Sequence, residues 1–255
     1  MTKPPTPPWT ASAKTLRAYE HYCSLREVLS KYSSGEPIIK SRVEPVENRR
    51  VYYLEKLPPF PESITVIAGD VLHNVRSALD HLAWQLVLAN GENPGTHTAF
   101  PIVNEPADYE ALKRKRRPPM QGMSDAAKDA IDALKPYKDG NRALWVLHRL
   151  ENIDKHRKLL VATSGYLGFD FSTLAQNPAL PPLMLRPKGG FYPVSVGTVL
   201  LRDVPNAPPK AARFGFYLGF IEPDVGVEEH AISQLVGELG IYVNKLVEKF
   251  TQDFL

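Results

Sequence analysis

The chain has 255 residues, of which 43% are hydrophobic and 23% charged, as in an ordinary globular protein. Its 31 basic and 28 acidic residues give a net charge of +3, which by itself does not indicate nucleic-acid binding. A single cysteine excludes an internal disulfide and a cysteine-rich zinc site, and no apolar run is long enough to span a membrane. The N-terminus lacks the apolar stretch of a secretory signal, so we expect a cytoplasmic protein.

The pattern of apolar residues predicts an α+β fold in which about five helices form a bundle core. Residues 1–10 are rich in proline and are expected to form a disordered arm, whereas residues 11–255 are expected to form a single domain. The predicted helical core covers about 11–32, 62–90, 124–160 and 226–253. Alternating and β-branched residues predict an early β-hairpin at 38–57 and a β-rich segment at 165–220, before the C-terminal helix.

The helical segment at 124–160 divides into two helices. Ser124 is a predicted N-cap, and Pro136 is a stop signal for the first of them. The second helix is expected to run from about Asn141 to Leu160. A further short helix is expected after Pro106.

The predicted helix at 62–90 carries a stripe of polar side chains on an otherwise apolar surface. On a helical wheel, with about 100° per residue, four polar residues fall on one narrow arc, within about 40° of the first of them. These residues are Asp70, Asn74, Ser77 and His81. Such a stripe is typical either of a functional face or of a polar seam in which side chains satisfy one another between packed helices.

A second stripe lies on the helix predicted at 141–160. Its aligned residues are Trp145, Arg149, Asn152 and His156, while Leu147, Leu150 and Ile153 are expected to face elsewhere. Each of the two helices therefore offers an asparagine and a histidine on a narrow face, which favours a shared site between them.

A metal site is one alternative for these helices. His73 and His81 are eight residues apart, which corresponds to about 12 Å of helix, so this pair cannot bind one ion. Asp70 and His73 have the i, i+3 spacing that helix-bundle metal sites use. A metal-binding set of Asp70, His73 and His156, typical of a metal-dependent hydrolase, therefore stays open.

The stretch "RSALDH", Arg76 to His81, fits the Arg-x4–6-His signature of the HEPN superfamily, with the polar Ser77 directly after the arginine. The longer pattern "GDVLHNVRSALDHLAWQL", "FPI" and "LENIDKHRKLL" resembles a widespread bacterial protein group, from which no established function can be transferred. The HEPN resemblance implies a helical bundle with metal-independent endoribonuclease activity and no cofactor. It also implies a composite site in a homodimer, and a role as a toxin or in anti-phage defence.

The same resemblance implies roles for individual residues. His81 would act as the general base or acid, Arg76 would stabilise the phosphate, and Asn74 or Asn152 would orient the substrate. A second pair, Arg149 and His156, also fits the spacing. Arg76 and His81 lie about 140° apart on a continuous helix, whereas Arg149, Asn152 and His156 share a face more cleanly.

The segment "KRKRRPP" contains five consecutive cations, namely Lys113, Arg114, Lys115, Arg116 and Arg117. It is either a solvated loop or a patch that contacts the phosphates of RNA and so adds affinity without sequence choice. RNA is therefore the expected partner of the nuclease hypothesis. The other alternative is a non-enzymatic binding or assembly protein in which the polar stripes are structural.

Overall fold

A computed structural model describes residues 9–35, 37–44, 49–159, 161–169, 192–202, 212–227 and 230–255. Within these ranges the chain forms six helices and two small antiparallel sheets, which confirms the predicted α+β class and the early hairpin. The helices are α1 (Ala13–Ser33), α2 (Ser63–Ala89), α3 (Pro106–Lys113), α4 (Asp125–Ala133), α5 (Arg142–His156) and α6 (Ile232–Phe254). The strands are β1 (Ile38–Glu44), β2 (Arg49–Lys56), β3 (Val161–Phe169), β4 (Tyr192–Pro193), β5 (Val199–Arg202) and β6 (Ala212–Phe220).

The chain divides into two compact units. The first contains the chain up to Arg26 together with Ser63–Leu159 and Ser233–Leu255, and the second contains Glu27–Glu62 and Leu160–Ile232. The expectation of one domain for 11–255 stays a prediction.

The core of the first unit is built around α2 and α5, which pack against each other. Val71, Leu72, Val75 and Leu79 of α2 are almost completely buried, as the apolar side of its helical wheel predicts. Leu144, Leu147 and Leu150 of α5 are fully buried as well. Full burial of one such side chain contributes about 1.5–3 kcal/mol, so this apolar contact fixes the two helices that carry the polar stripes.

The start of the described chain is anchored in the first unit. Trp9 is 1% exposed, and its ring stacks on Tyr22 with a centroid distance of 5.1 Å. Gly240 of α6 lies so close to the indole that a methyl group there would overlap it. The predicted disordered arm therefore does not extend to Trp9, because burial of its large apolar ring stabilises this position. Residues 1–8 lie outside the described ranges.

Two side chains act as N-caps, of which Ser124 was predicted in this role. The Ser124 hydroxyl accepts a hydrogen bond from the Ala127 amide at 3.2 Å, and the Asn141 side chain caps α5 in the same way through Leu144. The second helix ends at His156 and not at Leu160, because Arg157 adopts an extended conformation. The C-terminal helix begins at Ile232, six positions after the predicted start.

The second unit contains both sheets. The first sheet has the order β1-β2-β5, and Arg42 of β1 pairs with Val51 of β2 in an antiparallel register. The second sheet has the order β4-β3-β6. Because β3 begins at Val161, the β-rich segment starts four residues before the predicted position. Residues 170–191 and 203–211 of this segment lie outside the described ranges.

In the part of the chain that the structure describes, every helix is too short or too polar to cross a lipid bilayer.

Candidate functional site

Arg76 of α2 is part of a closed structural contact. Its side chain is 10% exposed, and Nη1 donates to Asp80 Oδ1 at 2.7 Å while Nη2 donates to the Phe100 carbonyl at 2.9 Å. The Phe100 amide in turn donates to the same Asp80 oxygen at 2.9 Å. The guanidinium therefore ties the "FPI" segment to α2.

The first polar stripe is not brought together around one site in the described ranges. The Asn74 amide nitrogen donates to the carbonyl of Asp70 one turn earlier, at 2.8 Å, and Asn74 is buried. His81 is exposed, and within the described ranges it has no recorded hydrogen bond or ion pair. The implied pairing of Arg76 with His81 is therefore absent among the described contacts, because Arg76 is held by Asp80 and Phe100.

The second polar stripe lines a pocket, which we call the α5 pocket. It is open to the surface, has a volume of about 300 Å³, and is lined by Arg149, Asn152, Ile153, His156 and Arg157. The spacing i, i+3, i+4, i+7 and i+8 places these residues along one side of α5 and its C-terminal end. The structure thus brings Arg149, Asn152 and His156 together, as the helical wheel predicts.

Two residues of this pocket, Ile153 and Arg157, were not predicted from the sequence. Ile153 was expected to face elsewhere, but it lines the pocket because it lies one turn after Arg149 and adjoins Asn152. Arg157 follows the last residue of α5 and adds a second guanidinium; its position eight residues after Arg149 is a signal that could have revealed it. Trp145 departs from the stripe, since it is 3% exposed and its indole nitrogen donates to Asn104 Oδ1 at 3.1 Å.

His148 lies behind the α5 pocket, one turn before Asn152. Its Nε2 is 3.0 Å from the amide nitrogen of Asn152. Its Nδ1 is buried and has no hydrogen-bond partner in the described part of the chain. Burial, followed by the positive charge of Arg76, lowers the pKa of His148 to about 4.

A charged cluster occupies the crossing of α2 and α5. Glu151 is 3% exposed, and one of its carboxylate oxygens lies 2.6 Å from Lys155 Nζ and 3.4 Å from His73 Nδ1. The Asp154 carboxylate lies against Gly69, where only a residue without a side chain leaves space. Burial, and then the charges of Asp70 and Glu151, raise the pKa of Asp154.

The metal-binding alternative is not supported by this arrangement. No group of three or more histidine, cysteine, aspartate or glutamate side chains in the described ranges is placed to hold a metal ion. His73 contacts Glu151, whereas His156 lines the α5 pocket more than one turn further along the helix. The set of Asp70, His73 and His156 is therefore not brought together.

The basic segment divides into one engaged cation and four exposed ones. Lys113 ends α3 and contacts Asp132 Oδ2 at 2.5 Å, and the Tyr109 hydroxyl donates to the other oxygen of this carboxylate at 2.8 Å. Lys113 thus connects α3 with α4 and departs from the predicted substrate-binding set. The remaining cations, Arg114, Lys115, Arg116 and Arg117, are exposed.

Comparison of the chain with protein-family models, curated proteins and solved structures gives no match. The HEPN resemblance therefore stays a prediction that rests on the Arg-x4–6-His motif and its helical setting.

Proposed function

We propose that the protein is a HEPN-like, metal-independent endoribonuclease that acts at the α5 pocket. The observation that supports this proposal is the set of side chains around one pocket, in which Arg149, Arg157, Asn152 and His156 lie together. Two guanidinium groups offer the planar donors that suit phosphate oxygens. The volume of about 300 Å³ is at the lower end of the range for ligand pockets, which is roughly 300–1,000 Å³.

The proposed reaction is attack of a ribose 2′-hydroxyl on the adjacent phosphorus. His156 takes the proton of the hydroxyl as the new 2′-oxygen–phosphorus bond forms. The bond from phosphorus to the 5′-oxygen breaks, and this oxygen receives the proton that His156 has taken. The products are therefore a 2′,3′-cyclic phosphate and a 5′-hydroxyl. Arg149 and Arg157 stabilise the charge that develops on the phosphate oxygens.

The proposal assigns the Arg149 and His156 pair to catalysis in place of Arg76 and His81. Arg76 is buried, and two of its donors are engaged by Asp80 and the Phe100 carbonyl and not by His81. Arg149 has no recorded ion pair within the described ranges, and it lines the same pocket as His156. A homodimer and a role in toxicity or anti-phage defence come from the resemblance and belong to the same proposal, as does the expected cytoplasmic location.

The direct test is cleavage of a mixed pool of single-stranded RNAs by the full chain in the presence of EDTA. We expect His156→Ala to slow cleavage by about 10²–10⁴-fold, the usual contribution of a general acid or base. His21→Ala, on α1, is the matched control and should cut like the wild type. Loss of cleavage in His81→Ala, with His156→Ala still active, would instead support the first Arg/His pair.

The exposed cations of the basic segment are expected to bind the RNA backbone. Arg116→Ala with Arg117→Ala should lower the slope of log K against log salt by about 0.7 for each phosphate that the variant no longer neutralises. Lys245→Ala with Lys249→Ala removes two exposed cations of α6 and serves as the control of equal charge. Equal slopes for both double variants would show that the basic segment is only a solvated loop, and RNA binding without cleavage would favour the non-enzymatic alternative.

A further inference from the structure

The contact between His148 and Asn152 fixes the protonation of the imidazole. The amide nitrogen of asparagine can only donate a hydrogen bond, so at 3.0 Å from it Nε2 of His148 must be the acceptor. A neutral imidazole has one protonated nitrogen, which places the proton of His148 on Nδ1. Nδ1 is buried and without a partner among the described residues, so no hydrogen bond of Nδ1 competes with the one from Asn152 for the orientation of the ring.

The surroundings of His148 keep the ring neutral. If the ring took up a second proton, this proton would lie on Nε2, which could then no longer accept a hydrogen bond from Asn152. Burial opposes this protonation first, and the charges of Arg76 on α2 and of Arg149 and Lys155 on α5 oppose it as well, whereas Glu151 favours it. The balance leaves the pKa of His148 far enough below its ordinary value for the acceptor to persist at neutral pH.

The orientation of Asn152 has a consequence for the pocket. Its amide nitrogen is occupied by His148, and its carbonyl oxygen has no recorded partner in the described part of the chain. The other polar side chains around the pocket are two arginines, which only donate, and His156. Apart from the unprotonated nitrogen that His156 needs as a base, the Asn152 oxygen is therefore the side-chain acceptor of the pocket that suits a ligand hydroxyl, and a ribose 2′-hydroxyl is the donor that distinguishes the RNA backbone from DNA.

We propose that His148 is a positioning residue of the α5 pocket, whose unprotonated Nε2 holds the amide nitrogen of Asn152 and leaves the Asn152 carbonyl oxygen to accept a hydrogen bond from the 2′-hydroxyl of a ribose next to the one that His156 deprotonates. The inference rests on the proposed function, since it assumes that RNA is the ligand. It goes beyond that function because it assigns the discrimination between RNA and DNA to a residue that does not line the pocket.

The test compares the affinities of one RNA oligonucleotide and the all-deoxy oligonucleotide of the corresponding sequence. All variants carry His156→Ala so that the RNA stays intact. We expect this parent to prefer RNA by roughly threefold to tenfold, the worth of one hydrogen bond. His148→Phe keeps a ring but removes the acceptor and should lose this preference, whereas His148→Gln places a carbonyl oxygen near the position of Nε2 and should keep it.

Two outcomes overturn the inference, and they differ in what they say about the proposed function. If RNA is bound but His148→Phe keeps the preference shown by its parent, the positioning role is wrong while the proposed function stands. If the parent binds neither oligonucleotide, both proposals are wrong. His21→Phe is the control for a ring substitution elsewhere, and thermal unfolding of each variant identifies those that have lost their fold.

The tautomer gives a readout that is independent of RNA. Long-range proton–nitrogen correlation spectra of the full chain with ¹⁵N-labelled histidine should show His148 protonated at Nδ1 and unprotonated at Nε2 at pH 7. A protonated Nε2 would mean that the ring donates to Asn152 and turns its oxygen away from the pocket, which would overturn the inference.

Discussion

Replacing Arg76 by alanine removes a buried guanidinium that joins two parts of the first unit. The wild-type side chain donates to Asp80 at 2.7 Å and to the Phe100 carbonyl at 2.9 Å. In the variant, the Phe100 carbonyl loses a charged donor, and Asp80 keeps only the Phe100 amide. We therefore expect Arg76→Ala to destabilise the first unit.

The size of the effect follows from the burial of the partners. A hydrogen bond to a charged group contributes about 1.5–3 kcal/mol. The Arg76 side chain is 10% exposed, so the bond to Phe100 should have a value in this range, whereas Asp80 is 39% exposed and solvent weakens that ion pair. The expected loss in the free energy of unfolding is about 2–4 kcal/mol, including the packing of the aliphatic part of Arg76.

Urea unfolding followed by tryptophan fluorescence measures this loss. All three tryptophans, Trp9, Trp84 and Trp145, lie in the first unit, so the signal reports its unfolding. Arg149→Ala, which removes a guanidinium from the open pocket, is the matched control and should change the free energy of unfolding by no more than about 0.5 kcal/mol. If Arg76→Ala unfolds like the wild type but fails to cut RNA, the structural role of Arg76 is refuted.

Three further outcomes test other contacts. Gly240→Ala should destabilise the first unit by about 1–3 kcal/mol, because the new methyl displaces the Trp9 indole, and an unchanged tryptophan emission spectrum would argue against this. Gly69→Ala overlaps the Asp154 carboxylate, so its cost in urea unfolding should fall when Asp154→Ala is added; equal costs in both backgrounds would contradict the close approach. The pKa of His148 is about 4 in the folded state and 6.5 in the unfolded chain, so the folded state binds fewer protons between these values and stability should fall as the pH drops from 6.5 to 4. The full difference in pKa corresponds to about 3 kcal/mol of stability, and solvent screening reduces this value. His148→Gln should remove this part of the pH dependence of stability, and a variant whose stability depends on pH as in the wild type would contradict the assignment.

The helices and the stripe on α5 were accessible from the sequence because they depend on local periodicity. The predicted range 62–90 differs by one residue at each end from the observed α2, Ser63–Ala89. The stripe of Arg149, Asn152 and His156 follows from the repeat of the α-helix alone, and these three residues do line one pocket.

The contacts that decide the role of each polar residue were not accessible, because they join distant parts of the chain. Arg76 meets the backbone carbonyl of Phe100, and a backbone atom leaves no signature in the residue pattern. Glu151 and His73 are 78 positions apart, and their contact depends on how α2 crosses α5. Periodicity shows that a stripe exists, but only packing shows whether its members serve the core or a pocket.

The measurement that tests the account most directly is RNA cleavage by the full chain in EDTA, with analysis of the product ends. The account predicts cleavage by the wild type and by His21→Ala, products with 2′,3′-cyclic phosphate and 5′-hydroxyl ends, and a loss of about 10²–10⁴-fold in His156→Ala. Wild-type protein that leaves diverse RNAs intact, or a folded His156→Ala variant that cuts at the wild-type rate, would contradict it.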